Sequence, residues 1–446
     1  MTTTLNHIPG PRSLPGGLGH LHLMGSGPLP FFTHLGRTYG DIAAFQLGWR
    51  RMVLINHPAL IDRVVRDSSF WRSPQTRRAM ASFLGQGLLS LEGSDHRRHR
   101  RLMQPAFHRE RINGYGLIMA EETQRHLEAW RPGEVHDLGQ ELMALTLKIV
   151  ARALLGVDAS AEARQVDEAL HTVLPQVSRI NRLSFLLPRS APLIHGPTTR
   201  AAINRLQGLV RRIVAERRAA GGDGSDLLSL LLAATDEDGG SLSDDEVCAE
   251  ALTILLAGHE TTANTLSWAW YLLTQHPEVQ ERVAAEALAV AGNAPISPEH
   301  LPQLSYADQV IRETLRLYPV AWSGDRVADH DAELAGYPIP AGTPVVYSVY
   351  VTQRDPRFFP RPSHFDPERF SPARAASIPA GAYLPFGAGV HICIGNAFAL
   401  MEARLILAEL ARRFVVRAAP IQTIGPRPSI TLGLDRCLTV ALAARS

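Results

Sequence analysis

Apolar positions along this 446-residue chain recur mainly at helical spacing, with a few short alternating stretches. Residues 9–16 are a Pro/Gly lead-in, and 30–40 predict a helix ending at Tyr39-Gly40. Residues 42–46 and 52–55 flank a turn at 48–51 and predict a β-hairpin. Pro58 opens a short helix to residue 65. Residues 71–91 mix apolar and basic side chains without a clear period and are expected to be irregular. From residue 95 helices dominate, over 95–104, 113–131, 139–155 and 160–180. Pro188, Pro192 and Pro197 break 181–197, a basic helix follows over 198–219, and 226–234 is short and apolar.

Ser243, followed by Asp244, Asp245 and Glu246, reads as a helix cap with an acidic first turn. The helix it opens extends to about residue 276, long for a globular protein. Helices follow at 277–290, 306–317 and 397–413. Residues 333–351 alternate as short strands, 353–383 are Pro-rich and irregular, and 420–444 end in short strands. The pattern predicts a mainly α protein organised as one unit over 1–446. Its smaller β-rich part lies at about 30–60 and 320–350, with the C-terminal strands.

Composition narrows the class. Hydrophobic residues are 45% and charged residues 20%, as in an ordinary globular protein. A net charge of +2 gives no global argument for nucleic acid or an anionic membrane. The three cysteines, Cys248, Cys393 and Cys437, are too few and too widely spaced for a disulfide framework or a zinc pattern. No apolar run reaches the ~18 residues of a membrane span. The polar, Pro-containing N-terminus lacks a signal-peptide core. A cytoplasmic protein without a transmembrane anchor is expected.

Candidate chemistry concentrates in residues 386–395. Cys393 sits among Gly387, Gly389 and Gly395, just ahead of a helix whose free N–H groups favour a thiolate. Such a thiolate suits haem iron; the plain alternative is a buried free cysteine in a glycine-rich turn. Within the long helix, Ala257-Gly258-His259-Glu260-Thr261-Thr262 places a glycine where it costs about 1 kcal/mol. That cost suggests a ligand pressed against the backbone, with an acid and an alcohol beside it that can relay protons. Glu313 and Arg316 share a helix face, and Arg369 in the Pro-Glu-Arg-Phe stretch can join them. His96 and Arg100, four apart in a basic helix, can hold a propionate as a charge-assisted pair or belong to a solvated basic face.

Together these features resemble the cytochrome P-450 family of haem-thiolate monooxygenases. The cysteine loop fits F-x-x-G-x-[RH]-x-C-x-G, and 257–262 fits [AG]-G-x-[DE]-T-[TS]. Glu313-x-x-Arg316 and residues 367–370 fit the two remaining motifs. The resemblance spans nearly the whole chain and implies a helical bundle with a long central helix and small β-sheets. It implies haem b with Cys393 as iron ligand, Phe386 beside the sulfur, and Gly387 and Gly395 shaping the loop. His96, Arg100, Arg326 and His391 are implied propionate contacts, Glu260 and Thr261 an oxygen-protonation pair, and Glu313, Arg316 and Arg369 a structural triad. His391 stands where many members have Arg, and Gln353 where His is usual.

By the same resemblance, substrate binds opposite Cys393. Met80, Phe83, Leu84 and Leu88 from the 71–91 loop are expected to line the pocket, with Leu174, Phe185 and Leu186 from the Pro-broken 174–197 segment. Leu255 and Ala257 belong to the long helix, and Val320, Ala321, Trp322 and Leu432 close the wall. These apolar side chains suit a greasy, compact molecule. Similarity to pentalenene-oxygenase-type members favours a terpenoid; a fatty acid, steroid or polyketide stays open. One atom of O2 would enter the substrate. NAD(P)H electrons would arrive through a ferredoxin and its reductase, with Arg97, Arg98 and Arg101 as docking candidates on a monomer. A peroxide-driven or isomerising haem-thiolate enzyme and a non-catalytic haem-binding or gas-sensing module are the alternatives.

Overall fold

The computed structural model describes residues 4–15, 18–25, 27–157, 163–184, 193–221, 226–237 and 239–445. Its axis is the helix Asp244–Gln275, about 48 Å long at 1.5 Å per residue. Ser243 caps it: the Ser243 hydroxyl accepts from the Glu246 N–H, and the Glu246 carboxylate accepts from the Ser243 N–H. Beyond this polar entry the helix is buried almost all round, with Trp268 and Trp270 fully enclosed. Leu138–Leu155 runs against it so closely that a Cβ at Gly258 would meet Val150 Cγ2 at 2.8 Å. That contact explains the glycine. The side facing Gly258 is a neighbouring helix, so the ligand pressed on its backbone that the sequence suggested is not needed.

The helix Asn396–Arg413 carries the chain away from the cysteine loop and is buried along most of its length. A five-stranded sheet stands to one side, in the spatial order Ile42–Leu47, Arg50–Ile55, Pro344–Tyr347, Gly324–Ala328, Phe70–Trp71. The first two strands form the predicted hairpin, pairing Ile42 with Ile55. Arg50–Ile55 pairs in parallel with Pro344–Tyr347, joining segments nearly 300 residues apart. A smaller hairpin, Pro426–Pro428 with Leu432–Leu434, inserts its tip toward the long helix. The architecture is the mainly helical one with small sheets that the sequence predicts.

Several local expectations change. The stretch 333–351 read as strands ends in the short helix Val349–Thr352. Strands Phe70–Trp71 and Val135–Asp137 arise where none was expected, and Gly324–Ala328 adds a strand ahead of those read from 333 on. Residues 74–84 are a helix, Pro74–Leu84, inside the segment read as irregular. Ser73 caps it by accepting from the Gln75 N–H, and Met80, Phe83 and Leu84 are buried. The scattered basic residues on its outer side hid this period. The helix expected at 113–131 begins earlier, as Arg109–Glu128. Among the described residues no helix is long and apolar enough to cross a membrane, and all three cysteines are free.

Candidate haem-thiolate site

The cysteine loop is built by backbone conformations that glycine supplies. Gly387 and Gly389 have φ of 69° and 68°. A Cβ at Gly389 would lie 2.1 Å from the Val65 carbonyl oxygen, so the loop rests on the helix Pro58–Arg66. The Cys393 N–H donates to the Phe386 carbonyl (2.9 Å), which closes the loop. Cys393 is exposed by surface area, yet burial pushes its thiol pKa up. The Gly395 backbone and the nearby Arg100 oppose that rise. Arg100 donates to the Ile392 carbonyl at 2.7 Å, beside the sulfur.

The residues expected at the propionates converge, but as a network. His391 Nε2 donates to Glu92 (2.8 Å), and its Nδ1 shares a hydrogen bond with His96 Nε2 (3.2 Å). Burial, then repulsion from His391, pushes the His96 pKa down to about 3. His96 thus favours its neutral form and bonds to His391, while Arg100 donates to the Ile392 carbonyl. Burial also lowers the His391 pKa. Arg326 lies across the site, buried, with no hydrogen-bond partner for its Nε.

Sequence reasoning missed Arg72 and Glu92. Trp71 pairs with Val327, so the next residue, Arg72, falls beside Arg326. Burial and that second guanidinium push the Arg72 pKa down to about 10. Two guanidiniums and two imidazoles gather here with two carboxylates, Glu92 and Asp325. Arg72 donates to the Leu88 and Leu89 carbonyls and Arg326 to the Asp325 carbonyl, which leaves Arg326 Nε without a partner. Asp325 is itself pushed up by burial. The donor set fits an anionic group such as a propionate, and the Cys393 thiol, with Arg100 beside it, fits iron.

On the long helix, Thr261 Oγ1 donates to the Ala257 carbonyl (2.6 Å), while the helix stays continuous through this turn. Thr146 donates to the His259 carbonyl from the adjoining helix. The Glu260 carboxylate accepts from the Thr431 hydroxyl (2.6 Å) at the tip of the C-terminal hairpin. Glu402, on the helix after the cysteine loop, is fully buried. Burial pushes its pKa far up against the opposing Thr262 hydroxyl, so it is held neutral.

Glu313, Arg316 and Arg369 do meet. Arg316 makes a bidentate pair with Glu313, 2.7 Å on each arm, both fully buried, and Arg369 Nε stands 3.4 Å from Glu313. Arg316 also donates to the carbonyls of Gln353, Pro362 and His364. Gln353 bridges further, donating to Leu315 and Arg316 carbonyls and accepting from the Leu384 N–H. This ties the triad to the segment entering the cysteine loop.

Taken end to end, the chain resembles known proteins. The family model described as Cytochrome P450 matches residues 8–434. The chain belongs to the cytochrome P450 family. It is an oxidoreductase, a P450 monooxygenase, and the family's cofactor is a haem held by a cysteine thiolate. Cyclooctatin synthase of Streptomyces melanosporofaciens is 38% identical over 425 residues, covering 94% of this chain and 92% of that protein. Cyclooctat-9-en-7-ol 5-monooxygenase of the same organism is also 38% identical, covering 93% and 90%. Pentalenene oxygenase of Streptomyces avermitilis is 35% identical, covering 96% of each. The crystal structure of cytochrome P450DA heme domain superposes with a TM-score of 0.87 at 25% identity, covering 98% of each chain.

The remaining expected P450 site residues fall into place unevenly. Met80, Phe83, Leu84, Leu88 and Leu255 are buried in the helical core, with Leu174 packed against it. Val320 and Leu432 are buried, and the Leu432 N–H donates to the Val320 carbonyl. Ala257 is half-buried and Ala321 exposed. Trp322 turns away: it packs on Phe32 beside the sheet, and its Nε1 donates to the Ser429 carbonyl. Phe185 and Leu186 lie outside the described residues. Of the docking arginines, Arg98 pairs with Asp236 and Glu246, and Arg101 with Glu237; Arg97 is exposed. Arg98 is thus partly engaged within the fold, whereas the exposed Arg101–Glu237 pair leaves Arg101 at the surface.

Proposed function

We propose that this P450 hydroxylates a compact terpenoid, using electrons passed from NAD(P)H through a ferredoxin reductase and a ferredoxin. The end-to-end similarity to cyclooctatin synthase, cyclooctat-9-en-7-ol 5-monooxygenase and pentalenene oxygenase carries this reading. The largely apolar side chains expected around the substrate accord with it, since an apolar pocket with few fixed polar groups selects by shape.

In this reading Cys393 holds the haem iron, while Arg72, Arg100, Arg326, His96 and His391 hold its propionates. When bound, the haem supplies the activation of O2, and thiolate ligation favours O–O cleavage. The protein positions and protects. Gly387 and Gly389 shape the loop that presents the Cys393 sulfur. Phe386 accepts the Cys393 N–H through its carbonyl and so fixes the loop's closure. Glu260 and Thr261 hold protons on the substrate side, the hydroxyl of Thr261 bonded to Ala257 until it is needed. Apolar side chains from the Pro74–Leu84 helix exclude water that would otherwise compete for those protons. Arg97 remains an accessible cation for an acidic electron carrier.

The test is a titration of the haem-loaded protein with cyclooctat-9-en-7-ol, pentalenene, lauric acid and a steroid, reading the haem spin shift. Terpenes are expected to produce the shift and, with NADPH, ferredoxin and reductase, a product one oxygen heavier. A shift only with lauric acid or the steroid overturns the substrate class. Turnover with hydrogen peroxide but not with NADPH overturns the electron route.

A further inference from the structure

We propose that Thr431 is a positioning residue for Glu260, holding its carboxylate in the orientation from which it handles protons. The inference rests on the monooxygenase reading above and adds a residue outside the Glu260-Thr261 pair.

Glutamate has three rotatable side-chain bonds, so a catalytic carboxylate on a helix needs an external restraint to keep one geometry. Thr431 supplies one from 171 positions away. Its hydroxyl donates to Glu260 Oε1 at 2.6 Å, a length typical of an O–H bond to an ionised carboxylate. Thr431 Oγ1 in turn accepts from Asn264 Nδ2 at 3.4 Å. Glu260 and Asn264 lie four apart on one face of the long helix, so a single hydroxyl engages both. A hydroxyl is suited to this, because it donates once and still accepts.

The mount itself is rigid. The residue after Thr431 is fixed on both sides: the Leu432 N–H donates to Val320, and the Leu432 carbonyl accepts from Trp268 Nε1, each at 2.9 Å. Trp268 is fully buried and stacked on Tyr318, with ring centroids 3.8 Å apart and planes nearly parallel. Two residues before Thr431, the Ser429 carbonyl accepts from Trp322 Nε1 at 3.0 Å, and the Ser429 N–H donates to the Thr431 carbonyl. This accounts for Trp322 turning toward the sheet: it steadies the hairpin tip. Gly433 completes the fit, since a Cβ there would stand 3.3 Å from Asn264 Oδ1. A two-stranded pair this short is marginal alone, and the two indoles clamp its tip to two separate parts of the fold. What it presents to the long helix is one hydroxyl, aimed at the relay acid.

The test compares Thr431→Val, which removes the hydroxyl at nearly constant volume, with Thr431→Ser, which keeps it. Both are made in the full-length, haem-loaded protein and checked by thermal melting. One readout needs no turnover: the infrared C–O stretch of the carbon monoxide complex, which reports polar groups facing the bound ligand. The band is expected to shift or broaden in Thr431→Val and to match the wild type in Thr431→Ser. The second readout uses cyclooctat-9-en-7-ol with NADPH, ferredoxin and reductase. Product per NADPH is expected to fall about tenfold in Thr431→Val, the size of one lost charge-assisted hydrogen bond, with the electrons recovered as hydrogen peroxide. Thr431→Ser is expected to restore most of it. An unchanged band and unchanged partition in a well-folded Thr431→Val overturn the inference. So does a Thr431→Ser as impaired as the valine variant, because packing would then be the cause. Should valine not be tolerated, Thr431→Ala carries the same expectations. If the wild type does not oxidise the probe, the terpenoid reading fails, while the infrared comparison still decides the role of Thr431.

Discussion

His99 Nδ1 stands 2.6 Å from Glu250 Oε1 with both side chains buried, and His99 Nε2 lies 3.2 Å from Glu246. The other Glu250 oxygen accepts from the Leu88 N–H, so one carboxylate joins the basic helix Gly93–Met103, the loop before it and the long helix. Burial alone would lower the His99 pKa, but the two carboxylates outweigh it and raise the value. A raised imidazole pKa gives stability that is complete below the unfolded value of about 6.5 and is lost as pH climbs through the folded value. His99→Gln is expected to cost about 3 kcal/mol in mildly acidic solution, because a buried carboxylate loses its partner. The gap from wild type should narrow in alkaline solution. Denaturant melts across that range check the slope, and a gap that widens with pH contradicts the assignment.

Gln353 makes three hydrogen bonds of 2.9–3.0 Å that link the end of the helix Ser305–Leu317 to Leu384, ahead of the cysteine loop. Gln353→Ala leaves those buried backbone groups unpaired and is expected to lower stability by about 2–3 kcal/mol. Haem retention during dilution should shorten in parallel. Equal retention in the variant and the wild type would separate the bridge from the cysteine loop.

Gly389→Ala is predicted to prevent the cysteine loop from closing. The added methyl would meet the Val65 carbonyl, and the positive φ penalises any other residue. The carbon monoxide difference spectrum should lose its thiolate-type band, as in Cys393→Ala. Gly387→Ala, whose Cβ would find only the His391 carbonyl oxygen at 3.9 Å, should be milder. The reverse order would refute this account of the loop.

Glu402 is held protonated by burial. Its folded pKa lies above the unfolded one, so its contribution to stability is full below the unfolded value and falls as pH rises toward the folded value. Glu402→Gln mimics the neutral form and removes that dependence. The variant is expected to melt higher than the wild type in alkaline solution and about equally in acid. A variant that is less stable at every pH would mean that Glu402 is ionised and paired in the fold.

The sequence made local relations legible. Ser243 and Glu246 are three apart and do cap the helix; Glu313 and Arg316 are three apart and do pair. Spacing of that kind encodes contact directly, because helix geometry sets it. The relations that stayed hidden cross the fold. Glu92 meets His391 from 299 positions away and Thr431 meets Glu260 from 171, and no periodicity records either. Arg72 was invisible for a related reason: its place beside Arg326 is a matter of strand register. Gly258 was legible as an anomaly but its cause was not, since Val150 belongs to another helix. Arg98 and Arg101 looked free in a basic run because their acidic partners lie in a different turn, near Asp236.

The near-contact of Gly258 with Val150 has a consequence for how this scaffold diversifies. Two helices seated at that distance cannot slide without a clash or separate without opening a void, so the inner wall behaves as a fixed datum for the whole enzyme. The hairpin ending in Leu432–Leu434 is tied to the axis through Trp268 and Glu260, so substrates of new size must be accommodated mainly by the helix Pro74–Leu84. Selection for a new product is expected to write its changes there and to leave the pair at 150 and 258 alone.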